Sequence, residues 1–287
     1  MKEIVIATRG SRLALAQTEI VRRQLENGGV SCKILTVKTK GDRDRTSALS
    51  SIGGNGLFVR EVEAALLDGE ADLAVHSAKD LPYVLSDGLT VPCVMEAADS
   101  RDCLVTVKGK ALGKNPVIGT GSARRKAQAS RLFSSASFQE IRGNVDTRLH
   151  KLQSGEYDAI ILAKAGLDRL KPDLSPFDVR VFSTEEMLPA ACQGIIAVEC
   201  RKNDTDTFSL LSPINDEESF LRFKAERTML SLLDADCKEA VGVHSEIDGD
   251  IITVTALYEG KKAKKSGGIG DYQSVCRNAL EEINEQQ

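Results

Sequence analysis

The chain has 287 residues, of which 41% are hydrophobic and 28% are charged. At about 150 residues per domain, this length predicts two domains or three small ones. The composition excludes a largely disordered chain, and no run of about 18 apolar residues predicts a membrane-spanning helix. A net charge of -4, from 38 basic and 42 acidic residues, disfavours a nucleic-acid-binding protein. Because Met1-Lys2-Glu3 leads straight into an apolar segment without a leader pattern, we expect the protein in the cytoplasm.

The first two-thirds of the chain alternates predicted strands and helices. The first strands are predicted over 3–7, 32–37 and 73–75, with helices over 11–26 and 57–67. The pattern then restarts, with strands over 91–95, 103–107, 117–119, 138–141, 158–162 and 195–200 and helices over 122–132 and 144–153. We therefore predict two α/β domains with mostly parallel sheets. The first domain would cover 1–95 with 195–213, and the second 96–194.

The rest of the chain predicts a small α+β domain over 216–287. Residues 171–178 contain two prolines and are predicted as a surface loop, and 203–215 are predicted as a linker. An amphipathic helix follows over 217–233, then two strands paired through Asp248-Gly249 and a helix over 273–283.

The cysteines predict free thiols in a reducing compartment and no metal site. Their number, seven, is odd, no pair has C-x-x-C spacing, and none of the three histidines lies at ligand spacing from a cysteine. Most are expected to be small buried side chains. Cys237 is the most exposed candidate, because it lies in a polar segment directly after a helix. Lys238 beside it favours the thiolate, and Asp236 and Glu239 oppose it.

Five arginines lie at three predicted strand-to-helix junctions. They are Arg9 in the first, Arg124 and Arg125 in the second, and Arg142 and Arg148 in the third. Ligands of open parallel sheets bind at the carboxyl ends of strands, where helix N-termini and arginines attract anions. We therefore predict a ligand with several negative groups. The alternative is that arginines at helix starts form surface salt bridges.

Lys79 and Asp80 follow a predicted buried strand and should lie at the same sheet edge. A desolvated carboxylate beside a cation can stay ionised and stabilise positive charge on a substrate. The alternative is an ordinary solvated loop. The segment Gly53-Gly54-Asn55-Gly56, shortly before Phe58, suits either the edge of a flexible lid or a tight turn.

Several segments, in order along nearly the whole chain, resemble the porphobilinogen deaminase (hydroxymethylbilane synthase) family. They are Ile6-Ala7-Thr8-Arg9-Gly10-Ser11-Arg12-Leu13-Ala14-Leu15, Val75-His76-Ser77-Ala78-Lys79-Asp80-Leu81-Pro82, Arg142-Gly143-Asn144-Val145, Tyr157-Asp158-Ala159-Ile160-Ile161-Leu162-Ala163 and Gln193-Gly194. The resemblance implies two α/β domains like those of type II periplasmic binding proteins. A small third α+β domain would carry a cysteine.

The resemblance also implies an activity and a cofactor. Four porphobilinogen molecules would be joined head to tail, with loss of ammonia, to give hydroxymethylbilane in haem biosynthesis. A dipyrromethane cofactor would prime this reaction through a thioether to Cys237. Because porphobilinogen carries an acetate and a propionate, the growing chain would be a polyanion, as the arginine junctions require. No metal, nucleic acid or membrane is implied, and the lack of a long exposed apolar stripe predicts a monomer.

Site residues carry over by motif from the family. Asp80 would be the catalytic carboxylate. Cofactor contacts would come from Ser77, Lys79, Asp80, Thr120, Ser122, Arg124, Arg125, Arg142, Gly143 and Asn144, with Cys237 as the covalent attachment. Substrate contacts would come from Arg9, Ser11, Phe58, Arg142, Arg148, Arg169, Gln193 and Gly194.

The segment around Cys237 departs from the family pattern of Gly-Gly-Cys-Gln followed by proline. Here it reads Ala235-Asp236-Cys237-Lys238-Glu239-Ala240, so cofactor loading is the step that we expect to be most affected. The competing function is a non-catalytic bilobal protein that binds polycarboxylates. Asp80 discriminates between the two, because a pure carboxylate binder gains nothing from a carboxylate in its cleft.

Overall fold

The computed structural model describes residues 3–38, 59–235 and 239–286, whose strands form three sheets. The first sheet has the order β2-β1-β3-β10-β4. Its strands are β1 (Ile4–Arg9), β2 (Cys32–Val37), β3 (Leu73–Ser77), β4 (Leu89–Val94) and β10 (Ile196–Arg201). β1 pairs in parallel with β2 and β3, whereas β10 runs antiparallel to β3 and β4.

The second sheet has the same layout, in the order β7-β6-β8-β5-β9. Its strands are β5 (Asp102–Val107), β6 (Val117–Gly119), β7 (Ser137–Gln139), β8 (Ala159–Ala163) and β9 (Phe177–Val181). β6 is parallel to β7 and β8, and β5 is antiparallel to β8 and β9. The chain crosses from the first sheet to the second over residues 95–101, before β5, and returns over residues 182–195, before β10. These two crossing segments join the units.

Helices α1 (Arg12–Asn27), α2 (Arg60–Leu67), α3 (Ala123–Leu132), α4 (Val145–Gln153), α5 (Lys164–Leu170) and α6 (Thr205–Leu211) accompany these sheets. Polar side chains cap four of their starts, and one of these is Asp204 at the start of α6. Ser11 Oγ accepts the backbone N–H of Ala14 at 3.2 Å, and Asn144 Oδ1 accepts that of Thr147 at 2.8 Å. Ser122 Oγ lies 3.4 Å from the nitrogen of Arg125. Such caps satisfy N–H groups that the helix leaves open.

The third unit is an antiparallel sheet packed against two helices. It contains β11 (Gly242–Asp248), β12 (Ile251–Tyr258) and β13 (Lys261–Gly268), with α7 (Glu217–Leu233) and α8 (Tyr272–Glu285). Phe223 and Met229 of α7 share one buried cluster with Ala78 and Leu81, which follow β3. The third unit therefore packs on the loop that carries Lys79 and Asp80.

The predicted fold class is confirmed, with two similar α/β units and a small α+β unit. Three details are wrong: the predicted linker contains α6, the predicted loop over 171–178 contains the start of β9, and the sequence pattern misses α5 and β13. β13 is difficult to predict because four lysines interrupt its apolar alternation, as is common at sheet edges. Within the described ranges, no helix combines the length and apolar character needed to cross a membrane.

Candidate functional site

Two adjoining cavities lie beside the crossing segments and the end of β3. The first has a volume of about 140 Å³ and the second about 200 Å³. Lys79, Arg125 and Gln193 line both, so the cavities share a cationic wall. Both cavities open at a strand end, as expected for a ligand site in an open sheet.

Most of the predicted site residues meet at these cavities. The first is lined by Ser77, Lys79, Arg125, Arg148, Arg169, Gln193 and Gly194, and the second by Lys79, Asp80, Ser122, Arg124, Arg125 and Gln193. Six predicted residues line neither: Arg9, Ser11, Thr120, Arg142, Gly143 and Asn144. The predictions for Phe58, Cys237 and the glycine-rich segment 53–56 fall outside the described residues.

The six residues away from the cavity walls shape the neighbouring junctions. Ser11 and Asn144 cap helices, and Thr120 Oγ1 accepts the N–H of Ser122 at 3.2 Å. Arg142 Nε donates to Glu140 Oε1 at 2.8 Å. The loop before α4 therefore includes an ion pair. At Arg142, this agrees with the alternative prediction that arginines at helix starts form surface salt bridges.

Lys79 is the cation closest in sequence to the predicted catalytic carboxylate. Its Nζ donates to Gln193 Oε1 at 3.2 Å. Burial lowers the pKa of Lys79 from 10.5 to about 8, and Arg125 acts in the same direction, whereas Asp80 and Asp102 oppose the decrease. Asp80 itself ends a short 3-10 turn, Ala78–Asp80, and is exposed to solvent.

Arg124 and Arg125 are buried and pair with Asp102. Arg124 Nη1 donates to Asp102 Oδ2 at 2.7 Å, and Arg125 Nη2 donates to Oδ1 at 2.8 Å. Burial raises the pKa of Asp102, but the two guanidinium charges outweigh burial and hold it well below its ordinary value. The sequence predicts both arginines as open anion contacts, whereas in the structure part of their bonding capacity is used by Asp102.

Arg148 and Arg169 supply further cations to the first cavity. Arg148 Nε donates to Gly143 O at 2.8 Å, and Arg169 Nη2 donates to Gly194 O. Burial lowers the pKa of each guanidinium to about 10, so both are protonated at neutral pH. Partly desolvated guanidiniums of this kind bind carboxylates more strongly than fully hydrated ones.

Gly194 brings the second crossing segment close to the first. It has φ of +93°, and a Cβ at this position would lie 2.4 Å from Ala98 O. A side chain here would be strained by its backbone conformation and by contact with a carbonyl. Only glycine therefore allows the two crossing segments to approach so closely.

The third unit holds the loop after Asp80 through hydrogen bonds as well as apolar packing. Arg227 Nη2 donates to Pro82 O at 2.7 Å and to Tyr83 O at 2.8 Å. Tyr83 Oη donates to Asp234 Oδ1 at 2.6 Å. Ala235 and Glu239, which flank residues 236–238, line the second cavity together with Asp80.

Sequence reasoning misses Asp102, Tyr83 and Arg227 as contributors to this site. Asp102 carries one usable signal, because a carboxylate directly before the apolar run Cys103-Leu104-Val105 needs a partner when the strand is buried. Tyr83 and Arg227 carry no such signal, since their partners lie more than a hundred residues away in sequence.

Comparisons with known proteins agree on one family. The family model described as "Porphobilinogen deaminase, dipyromethane cofactor binding domain" matches residues 4–209. A protein named porphobilinogen deaminase from Sulfurimonas denitrificans is 40% identical over 297 residues, covering 99% of this chain and 95% of that protein. One of the same name from Geobacillus kaustophilus is 40% identical over 301 residues, covering 100% and 95% respectively.

Solved structures with a related outline are more distant. The periplasmic VFT2 domain of BvgS from Bordetella pertussis superimposes with a TM-score of 0.43 and 14% identity, over 77% of this chain and 92% of that one. The amino acid ABC transporter substrate-binding protein AbpA from Streptococcus pneumoniae gives a TM-score of 0.40 and 12% identity, over 78% and 94%.

Proposed function

The chain belongs to the porphobilinogen deaminase family, and on that premise we propose which of its residues carry the reaction. The enzyme is a transferase that joins four porphobilinogen molecules head to tail, with loss of ammonia, and it uses a dipyrromethane cofactor. One observation supports the assignment of roles. Asp80 lines a cavity whose wall also carries Lys79, Arg124 and Arg125, and Ala235 and Glu239, which flank the segment 236–238, line that same cavity.

The second cavity suits a dipyrromethane attached through Cys237. Each pyrrole of this group carries carboxylates, and the cavity offers Lys79, Ser122, Arg124 and Arg125 as donors. Ala235 and Glu239 at its wall bring both ends of the segment 236–238 to the same place. We assign Thr120, Arg142, Gly143 and Asn144 to the support of this wall. When bound, the cofactor would supply the pyrrole carbon to which the first porphobilinogen unit is joined.

Asp80 stabilises positive charge during the reaction. Loss of ammonia from porphobilinogen leaves positive charge shared with the pyrrole nitrogen, and a fixed carboxylate lowers the energy of such a species. Asp80 is held at the end of a short turn, and Lys79 beside it balances its charge while no substrate is present. The carboxylate therefore stabilises the cationic pyrrole that loss of ammonia produces.

The first cavity binds the carboxylates of the incoming substrate. Arg148, Arg169 and Ser77 supply its donors, and Gln193 and Gly194 form its boundary with the crossing segments. Arg9, Ser11 and Arg142 extend this set at the adjacent strand ends, and Phe58 completes it. Because the cavities share Lys79 and Arg125, a unit bound in the first lies next to the chain held in the second.

The proposal includes the organisation of the molecule. The three domains correspond to 1–95 with 195–213, 96–194 and 216–287, and each range contains the strands of one sheet. The enzyme acts as a cytoplasmic monomer on a small-molecule substrate, without nucleic-acid or membrane partners. A net charge of -4 supports the exclusion of nucleic acid.

The mass of the denatured protein, before and after incubation with porphobilinogen, tests this function. Purified wild type should carry extra covalent mass equal to two pyrrole units, with further steps of one unit after incubation. Cys237→Ser should carry neither, and Cys200→Ser, which changes a buried strand cysteine, should behave like wild type. A bare mass in every sample would instead support the non-catalytic binding of polycarboxylates.

A further inference from the structure

A buried carboxylate connects the two crossing segments of the chain. Asp102 is fully buried at the start of β5, directly after the first crossing. Its oxygens accept hydrogen bonds from Arg124 Nη1 at 2.7 Å, Arg125 Nε at 3.0 Å, Arg125 Nη2 at 2.8 Å and Gln193 Nε2 at 2.9 Å. Gln193 belongs to the second crossing, directly before β10. Asp102 therefore fixes side chains from two separate parts of the chain.

The amide of Gln193 has one orientation in this network. Its Nε2 also donates to Ser100 O at 2.6 Å, so both amide hydrogens have acceptors. Its Oε1 consequently faces Lys79 and accepts from Nζ at 3.2 Å. A flipped amide would place hydrogens against the ammonium group and an oxygen against Asp102. Asp102 thus determines that Oε1 of Gln193, and not its NH2 group, is the atom next to the Lys79 ammonium.

We propose that Asp102 is a positioning residue, which orients Arg124 and Arg125 directly and Lys79 through Gln193 toward the cofactor cavity. This inference rests on the proposed function, because it assigns a purpose to cations that bind a polyanion. One buried negative charge reduces the mutual repulsion of two guanidiniums. The two oxygens of Asp102 accept one N–H of Arg124 and two of Arg125, and the carbonyl oxygens of Leu188 and Ile161 each accept one more, so both guanidiniums are held in a fixed direction at the cavity wall.

The charge environment of Lys79 makes this inference measurable. Lys79 is faced by Asp80 from its own loop, Asp102 from β5, Arg124 and Arg125 from α3, and Arg148 and Arg169 across the first cavity. Asp102 is one of two carboxylates that favour its ammonium form. Removing that charge while keeping the shape should make Lys79 lose its proton at lower pH.

The first experiment compares the amine titration of Lys79 in the wild-type holoenzyme and in Asp102→Asn. Lys79 is labelled with acetic anhydride in short pulses across pH 6 to pH 11, and mass spectrometry of its peptide gives the midpoint. Asp102→Asn should lower the midpoint by about one pH unit. Asp206→Asn, which removes an exposed charge from the first turn of α6, should leave the midpoint unchanged. An unchanged midpoint in folded Asp102→Asn overturns the proposal.

A second variant keeps the arginine pairs intact in case Asp102→Asn fails to fold. Gln193→Met interrupts the path to Lys79 but leaves Asp102 bonded to Arg124 and Arg125. It should lower the labelling midpoint of Lys79 and raise KM for porphobilinogen about tenfold, with a smaller change in kcat, because one charged hydrogen bond is lost. Unchanged midpoint and KM would overturn the proposal. Failure of the proposed function would show separately, as a wild-type protein mass without the two-unit cofactor. The labelling midpoint of Lys79 can be interpreted whichever mass is found.

Discussion

At the scale of the residue, opposite charges are placed side by side in one cleft. Asp80 is an exposed carboxylate next to Lys79, and the buried Asp102 lies between Arg124 and Arg125. The two carboxylates have different surroundings and so different tasks. Asp102 is saturated with donors from the protein, whereas Asp80 is accessible to a ligand.

Replacement of Asp80 should affect chemistry and leave the fold intact. Asp80→Asn removes the charge that we propose stabilises the cationic pyrrole, so kcat should fall about 100-fold or more, as when other fixed electrostatic groups are removed. The intact mass should still include the two-unit cofactor. Asp87→Asn, at an exposed position in the same loop region, serves as control. Equal kcat in both variants would contradict the role of Asp80.

The lowered pKa of Lys79 makes the free energy of unfolding depend on pH in the alkaline range. Its pKa is about 8 in the folded protein against 10.5 as the ordinary value, so between these values the unfolded chain binds more protons. Stability from this residue therefore rises with pH from about 8 to 10.5 and is constant below that window. Urea unfolding of wild type and Lys79→Met should reveal a free-energy difference that changes only in this window. A difference that is flat up to pH 10.5 would refute the lowered pKa.

At the scale of the element, α7 fixes the position of the loop after Asp80. Arg227 binds the carbonyl oxygens of Pro82 and Tyr83, and Asp234 at the end of the helix accepts the hydroxyl of Tyr83. One helix therefore contacts the loop after Asp80 and leads into the segment that contains Cys237. These contacts connect α7 and its C-terminal end to the loop after Asp80.

Loss of the Tyr83 hydroxyl should slow cofactor loading. Tyr83→Phe removes one hydrogen bond, worth about 1 kcal/mol, and keeps the ring. The time course of two-unit mass gain, after porphobilinogen is added to cofactor-free protein, should be several-fold slower than in wild type. Tyr272→Phe changes a tyrosine packed against the apolar cluster of the third unit and should load normally. If both variants load at the wild-type rate, the hydrogen bond to Asp234 does not position the loop.

At the scale of the whole molecule, the third unit and the first are joined by one apolar core. Met229 is fully buried in the cluster that also contains Ala78 and Leu81. The second unit has its own cluster around Leu152 and Ile160. Stability should therefore be divided unevenly among the three units, with the first and third coupled.

Two core truncations test this division. Met229→Ala should cost roughly 2–5 kcal/mol and reduce hydrogen-exchange protection in both β3 and β12. Leu152→Ala should cost a similar amount but reduce protection mainly in β8. The same pattern of lost protection in both variants would mean that the molecule unfolds as a single unit.

The sequence by itself determined most of the order of elements, the helix starts at capping residues and the family. These features depend on neighbours within a few residues, on apolar periodicity and on motifs that are contiguous in the chain. Ser122 and Asn144, for example, are identified as helix starts from three or four residues of context. The sequence also identified which loops carry the arginines and Asp80.

Only the tertiary structure decided which charges are paired and which remain open. Asp102 lies 22 residues from Arg124 and 91 from Gln193, and Tyr83 lies 151 from Asp234. The sequence pattern also missed β13 and the helix within 203–215, because their polar residues hide the apolar face. These hydrogen bonds join segments that are distant in sequence, and they form only where the folded sheets bring the two crossing segments together. No local pattern can therefore distinguish Arg125, held by a buried carboxylate, from Arg148, which is not held by one.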